Sequence, residues 1–170
     1  MWNKSVRIIA IAALIAAPVQ QARAQMGAGY TDVGVTLGFG TFTGSGLPIG
    51  GRFEKILQTL PSLGNGLLGV GVGVDHYGFN HDGGDVGYTN LGATANYHFK
   101  LDDKRFDLFA GAGLGLHMVN CGKDNCGYSS GLFPITRLGG RYFMQSNIAL
   151  YGDAGYGAAA LNLGVTFKLK

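Results

Sequence analysis

Cys121 and Cys126 enclose Gly122-Lys123-Asp124-Asn125, and that spacing suits a disulfide in an exported protein. A metal centre at the pair would need further Cys or His close by, and the segment offers none. A second concentration of chemistry is Asp75, His76, His81, Asp82 and Asp85. His and carboxylates suit a divalent cation. Gly83-Gly84 in their midst makes a turn, however, and the favoured reading is a solvated polar loop holding no metal. The other two histidines, His98 and His117, together with Ser129 and Ser130, raise hydrolysis by a Ser-His-acid set. Which of these groups can meet depends on the elements that carry them.

Those elements show as alternation. Val33, Val35, Leu37 and Phe39 point one way, and Gly34, Thr36, Gly38 and Gly40 the other, which is the period of a strand with two unlike faces. Further stripes follow at 49–57, 68–75, 88–100, 106–118, 132–143, 148–156 and 161–169, making eight. Their oily face carries Lys55 and no other charge. Lys55 lies beside a turn, where its ammonium can snorkel to the interface. The predicted fold is all-β, an eight-stranded antiparallel up-and-down transmembrane β-barrel with its apolar face toward lipid. A soluble β-sandwich also alternates, but its outward face would be polar. An even strand number puts both termini on the periplasmic side. The segments 101–105 and 144–147 are then short periplasmic turns, and 75–87 and 119–131 long outer loops. The connection at 58–66 is longer than a periplasmic turn usually is.

The ends fit an exported barrel. Residues 1–24 read as a signal peptide, with a basic start at Lys4 and Arg7, an apolar run from Ile8 to Ala17, and a small-x-small cleavage site at Ala22-Arg23-Ala24. The apolar run is too short to span hydrocarbon, which takes about twenty residues. The barrel domain is then 25–170. The whole chain has 13 basic residues against 10 acidic. Loss of Lys4, Arg7 and Arg23 leaves a mature charge near zero, and no basic block points to nucleic acid. All 31 glycines lie beyond the signal, alternating with Val, Leu and Phe as small residues on a crowded inner wall.

That inner wall holds the remaining charges. Arg52, Arg137, Arg141 and Lys168 are predicted to face inward with Glu54, Asp75, Asp107 and Asp153. Four bases meet four acids in an interior just wide enough for side chains, the makings of a neutral plug rather than a pore lining. Arg141 and Asp153 are expected close to one another. His98 is expected across from Asp107 and oriented by it, and His117 also faces inward. No catalytic residue, cofactor or metal ligand is assigned. The alternative use of the same residues is a narrow channel for small solutes.

The last strand reads polar-x-Gly-x-x-hydrophobic-x-hydrophobic at Asn162, Gly164, Phe167 and Leu169, which resembles the β-signal read by the outer-membrane assembly machinery. With the signal peptide and eight stripes, residues 30–170 resemble the small outer-membrane barrels of the OmpA and OmpX kind. The chain departs from them in ending on Lys170, where they end on an aromatic residue. The resemblance implies a monomer in the bacterial outer membrane, surrounded by lipid and lipopolysaccharide, with the assembly machinery as its partner. It implies a structural or surface-interaction role carried by the outer loops. Some barrels of this size act on lipid A. They place His and Ser at the membrane-facing surface, whereas His98 and His117 are expected to face the lumen.

Overall fold

Strand propensity, period-2 patterning and turn residues agree along most of the chain, and the result is a single closed sheet. The computed structural model describes residues 26–41, 46–81, 84–122 and 127–170. The signal segment, Asp82 and Cys126 lie outside these. Eight strands follow in order: β1 (Thr31–Phe39), β2 (Ile49–Leu60), β3 (Gly66–His81), β4 (Gly84–Phe99), β5 (Phe106–Cys121), β6 (Gly131–Gln145), β7 (Ile148–Tyr156) and β8 (Leu161–Lys168). Each pairs antiparallel with its sequence neighbours, and β8 pairs with β1 to close the barrel.

The alternation sorts the faces as the pattern requires. Outward residues such as Val35, Ile49, Leu114, Leu132 and Leu138 are exposed, Leu132 by 75%. A water-facing wall of this kind would be costly at about 25 cal/mol per Å² of apolar surface. A wall facing hydrocarbon has no such cost. Inward, the glycines keep the interior passable for the chain's own side chains. A Cβ at Gly113 would collide with the carbonyl of Ala93, and one at Gly111 with the Asn96 amide.

Two regions differ from the sequence expectation. Segment 75–87 is not a long loop, whereas 119–131 is strand only at its ends and residues 122–130 connect β5 to β6. β3 runs to His81, β4 begins at Gly84 and β5 ends at Cys121, with ladder pairs continuing from Asp75↔Asn90 to His81↔Gly84. Of the polar residues that suggested a loop, His76 and Asp85 stand on the outer face. Beneath them Tyr77, Phe79, Val86 and Tyr88 continue the inward stripe into a buried cluster. At about 3.3 Å per residue and about 40° tilt, the 16 residues of β3 rise about 40 Å, against an apolar band of about 25 Å. The β3–β6 side therefore rises beyond an apolar band of that height as a ledge, and the wall of β7, β8 and β1 is short.

The 58–66 connection is tighter than expected. A bulge between Ile56 and Gln58 shifts the register, β2 continues to Leu60, and one 3-10 turn (Pro61–Leu63) is closed by Gly64 and Asn65 in left-handed conformation.

Candidate functional site

The sequence puts Glu54, His98, Asp107 and Arg141 on the inner faces of β2, β4, β5 and β6, toward the end of the barrel where β1 begins. The closed sheet brings them to one point. Arg141 is 2% exposed and Glu54 fully buried. Arg141 Nη1 donates to Asp107 Oδ2 at 2.6 Å, Nη2 donates to Glu54 Oε2, and Nε lies 3.1 Å from Asp32 Oδ2. One guanidinium thus spans three carboxylates, which its planar fork of donors allows and a lysine would not. His98 bridges two of the same acids, with Nδ1 2.8 Å from Asp107 Oδ1 and Nε2 3.2 Å from Glu54 Oε1. Asn96 Nδ2 also donates to Glu54. Each of these six residues is at most 5% exposed.

A second charged layer lies above it. Arg52 stacks on the Tyr151 ring, 3.7 Å from its centroid, and reaches Asp153 at 3.6 Å and Glu54 at 3.7 Å. Arg137 pairs with Asp153 at 3.1 Å and donates to the Ala159 carbonyl at 2.7 Å. That bond holds the β7–β8 connection inside the rim, where Ala159 is fully buried. Asp153 also accepts from Tyr151 and, at 2.9 Å, from Asn162.

The expected Arg141–Asp153 pair is corrected by this arrangement. Across β6 and β7 Arg141 stands opposite Tyr151, and Asp153 opposite Gly139, so the two charges fall in successive layers with the Tyr151 ring between them. Asp75 lines the upper lumen without an ion pair among the described residues. Lys168 ends β8 at the rim, exposed rather than facing inward as expected, with its ammonium 5.6 Å from the Tyr30 ring. Two participants escaped the sequence reading. Asp32 has the parity of Gly34 and Thr36 but precedes the stretch read as the first stripe. Tyr30, just before it, donates to Asp32 at 3.3 Å.

The outer end of the lumen is aromatic. Tyr77 and Tyr88 stack at 5.1 Å, Phe79 and Tyr128 pack against Tyr88, and His117 stacks on Phe133 at 5.6 Å. His117 Nε2 lies 3.1 Å from the Ser129 carbonyl, and Ser130 Oγ accepts from the Val119 amide at 3.0 Å. Both contacts tie β5 to the segment just before β6 and assemble no Ser-His-acid set among the described residues. His76 bonds Thr89 at 3.0 Å, and among the described residues no three ligand-type side chains gather for a metal. Cys121 ends β5, and its expected partner Cys126 lies outside the described residues. On β8, Asn162 and Gly164 face inward, while Phe167 and Leu169 are exposed.

No known protein-family profile matches the chain, and no curated protein matches it. Solved structures do. The N-terminal β-barrel domain of Pseudomonas aeruginosa OprF aligns with TM-score 0.53 and 19% identity, over 85% of this chain and 100% of that one. Ail, the attachment invasion locus protein of Yersinia pestis, was solved with the heparin analogue sucrose octasulfate. It aligns with TM-score 0.49 and 12% identity over 85% and 96% of the two chains. Neisserial surface protein A aligns with TM-score 0.44 and 17% identity over 83% and 94%. The first carries the comparison, and at that identity it speaks to architecture alone. The chain has the fold of the small eight-stranded outer-membrane β-barrels.

Proposed function

We propose that this protein is an integral barrel of the bacterial outer membrane, exported by cleavage of residues 1–24. Its lumen is shut, and its structural or surface-interaction role is carried by the ledge of β3–β6. The carrying observation is the Arg141 layer, where three carboxylates and His98 close on one guanidinium. A closed barrel cannot serve as a passage, so what remains to act is its outer end, where residues on a rigid scaffold carry function. Outer-membrane lipid and lipopolysaccharide surround the apolar belt, the assembly machinery reads β8, and the protein works as a monomer without a cofactor. A Cys121–Cys126 disulfide pins the β5–β6 connection at the top of the ledge.

Fractionation with heat-modifiability tests this reading. A closed ladder has no edge to unzip. Unboiled protein from outer membranes should therefore migrate differently from boiled protein in a detergent gel. Recovery in the soluble periplasmic fraction, or identical migration, would sink it. Intact mass without reduction should lie two hydrogens below the mature chain, and alkylatable thiols at both cysteines would remove the bridge from the account.

A further inference from the structure

The charges outside the lumen are sorted by end. Lys55, Lys100, Lys104, Arg105, Lys168 and Lys170 are all exposed, and all lie at the end where β1 begins and β8 stops. Against them stand Asp102, Asp103 and the carboxylate that ends the chain. Arg105 pairs with Asp103 at 2.8 Å, and the five lysines make no ion pair among the described residues. Just inside this collar, Phe99, Phe106, Tyr142 and Phe167 are 38–46% exposed on the oily face. Exposed rings beside ammonium groups are the arrangement of a protein surface at a membrane interface.

One part of the collar is concave. The segment before β1, the β6–β7 turn and the last residues after β8 enclose a cleft of about 580 Å³. Lys168 and Lys170 line it together with Tyr30, Ser146 and Asn147, and no acidic side chain of the described residues does. Positive charge is in excess there even with the terminal carboxylate counted. Backbone bonds build the cleft, since the Lys168 amide donates to the Asn147 carbonyl and the Leu169 amide to that of Thr31, both at 2.8 Å. Asp32 stands opposite Lys168 across β1 and β8, but its carboxylate is buried against Arg141. The Lys168 ammonium lies over the Tyr30 ring instead. Leu169 also lines the cleft and is exposed on the same oily face as Phe167.

These properties select the ligand. Two ammonium groups without an ion pair, a hydroxyl and a carboxamide suit an anion with several acceptor oxygens. A free ion would fill little of the volume, and Leu169 leads from it directly onto the apolar wall. We propose that the cleft is a binding site for the phosphate headgroup of an anionic phospholipid, whose acyl chains lie along Leu169 and Phe167. The lysines hold the phosphate by charge, and Ser146 and Asn147 donate to its oxygens. This gives a ligand to the end of the barrel that the proposed surface role leaves without one. It rests on the membrane reading, because a phospholipid enters the cleft sideways from a bilayer around the belt.

The test uses the folded, isotope-labelled mature protein in uncharged detergent micelles. It is titrated with a short-chain phosphatidylglycerol while the backbone amide signals of Ser146, Asn147 and Leu169 are followed. A saturable shift is expected at all three, with a midpoint that rises as salt is added. Phosphatidylcholine of the same chain length carries its own cation, and inorganic phosphate lacks the chains, so each should bind about tenfold or more weakly. Lys168→Gln and Lys170→Gln change exposed side chains. Each should keep heat-modifiable migration and weaken phosphatidylglycerol binding about fivefold. Lys104→Gln, in the β4–β5 turn on the opposite side of the closed sheet, should leave the midpoint unchanged. No saturable shift in the wild type would overturn the proposal. So would equal binding of phosphatidylcholine or inorganic phosphate, or undiminished binding in both cleft variants. A loss in Lys104→Gln as large as that in Lys168→Gln would mark diffuse charge rather than a site, and would overturn it too. A soluble protein whose migration does not respond to heat would instead count against the membrane reading.

Discussion

The two ends of the lumen are packed by opposite means. At the end where β1 begins and β8 stops, Arg141, Glu54, Asp107, Asp32 and His98 interlock within a few ångströms, and each acid has a cation in reach. Toward the outside, closure is by ring faces, Tyr77 on Tyr88 and His117 on Phe133, standing above the apolar belt. The first depends on complete pairing, because removing one partner leaves the others as buried uncompensated charges. The second is shared among many contacts and touches water, so its parts yield singly. A charge layer makes a strong, brittle seal, and an aromatic cluster a softer one that can open locally.

The largest effect should come from Arg141→Ala, which leaves three carboxylates without their shared cation. The unfolding midpoint in urea should fall by the equivalent of about 3–5 kcal/mol. Combining it with Glu54→Ala should lose less than the sum of the single changes, since the second removes a charge already stranded. Additive, near-neutral variants would show the layer to be packing rather than an ion network.

Next in size is Tyr88→Ala, 3% exposed among Tyr77, Phe79 and Tyr128. The cost is about 2 kcal/mol, below that of an aromatic truncation in a dry core, because the site borders solvent. It should appear as faster protease cleavage of the β3–β4 and β5–β6 ends with little change in the global midpoint. A shift of that midpoint as large as that of Arg141→Ala would erase the contrast between the two closures.

The ease with which these regions can be read from sequence differs as well. Alternation placed Arg52, Glu54, Asp107, Arg137 and Arg141 on the inner wall without any structure, because a one-residue error would turn every apolar residue of a strand inward. Pairing across the lumen was not legible. It depends on the stagger of closed ladders, which brings Glu54 and Asp32 from the far wall to Arg141, already opposite Asp107 on the next strand, and lifts Asp153 to the layer above. A loop is expected at the ledge because His76 and Asp85 resemble loop residues. Beyond the apolar band the outward face can be polar while the inward stripe continues, so a change of composition there marks the edge of that band and not the end of a strand.

The smallest effect belongs outside both closures. In the turn between β4 and β5, Arg105 donates to Asp103 through its side chain, at 2.8 Å from Nη2, and through its backbone amide at 3.0 Å. These bonds, the side-chain ones first, hold the Asp103 carboxyl below its ordinary range. A carboxyl depressed in the folded state stabilises above its unfolded range, and that contribution is lost as pH falls through the folded value. Both groups are exposed, so the stability difference between wild type and Asp103→Asn should be slight at neutral pH and low salt. It should vanish in acid and in high salt. A salt-insensitive difference of the size produced by Tyr88→Ala would contradict the assignment.

The central claim is that paired charges seal the lumen, and conductance of the refolded protein in a planar bilayer tests it most directly. Eight strands leave room for side chains and little water, and the Arg141 layer occupies what remains. The wild type should therefore insert without steady current. A stable, long-lived open channel in the wild type would contradict the seal.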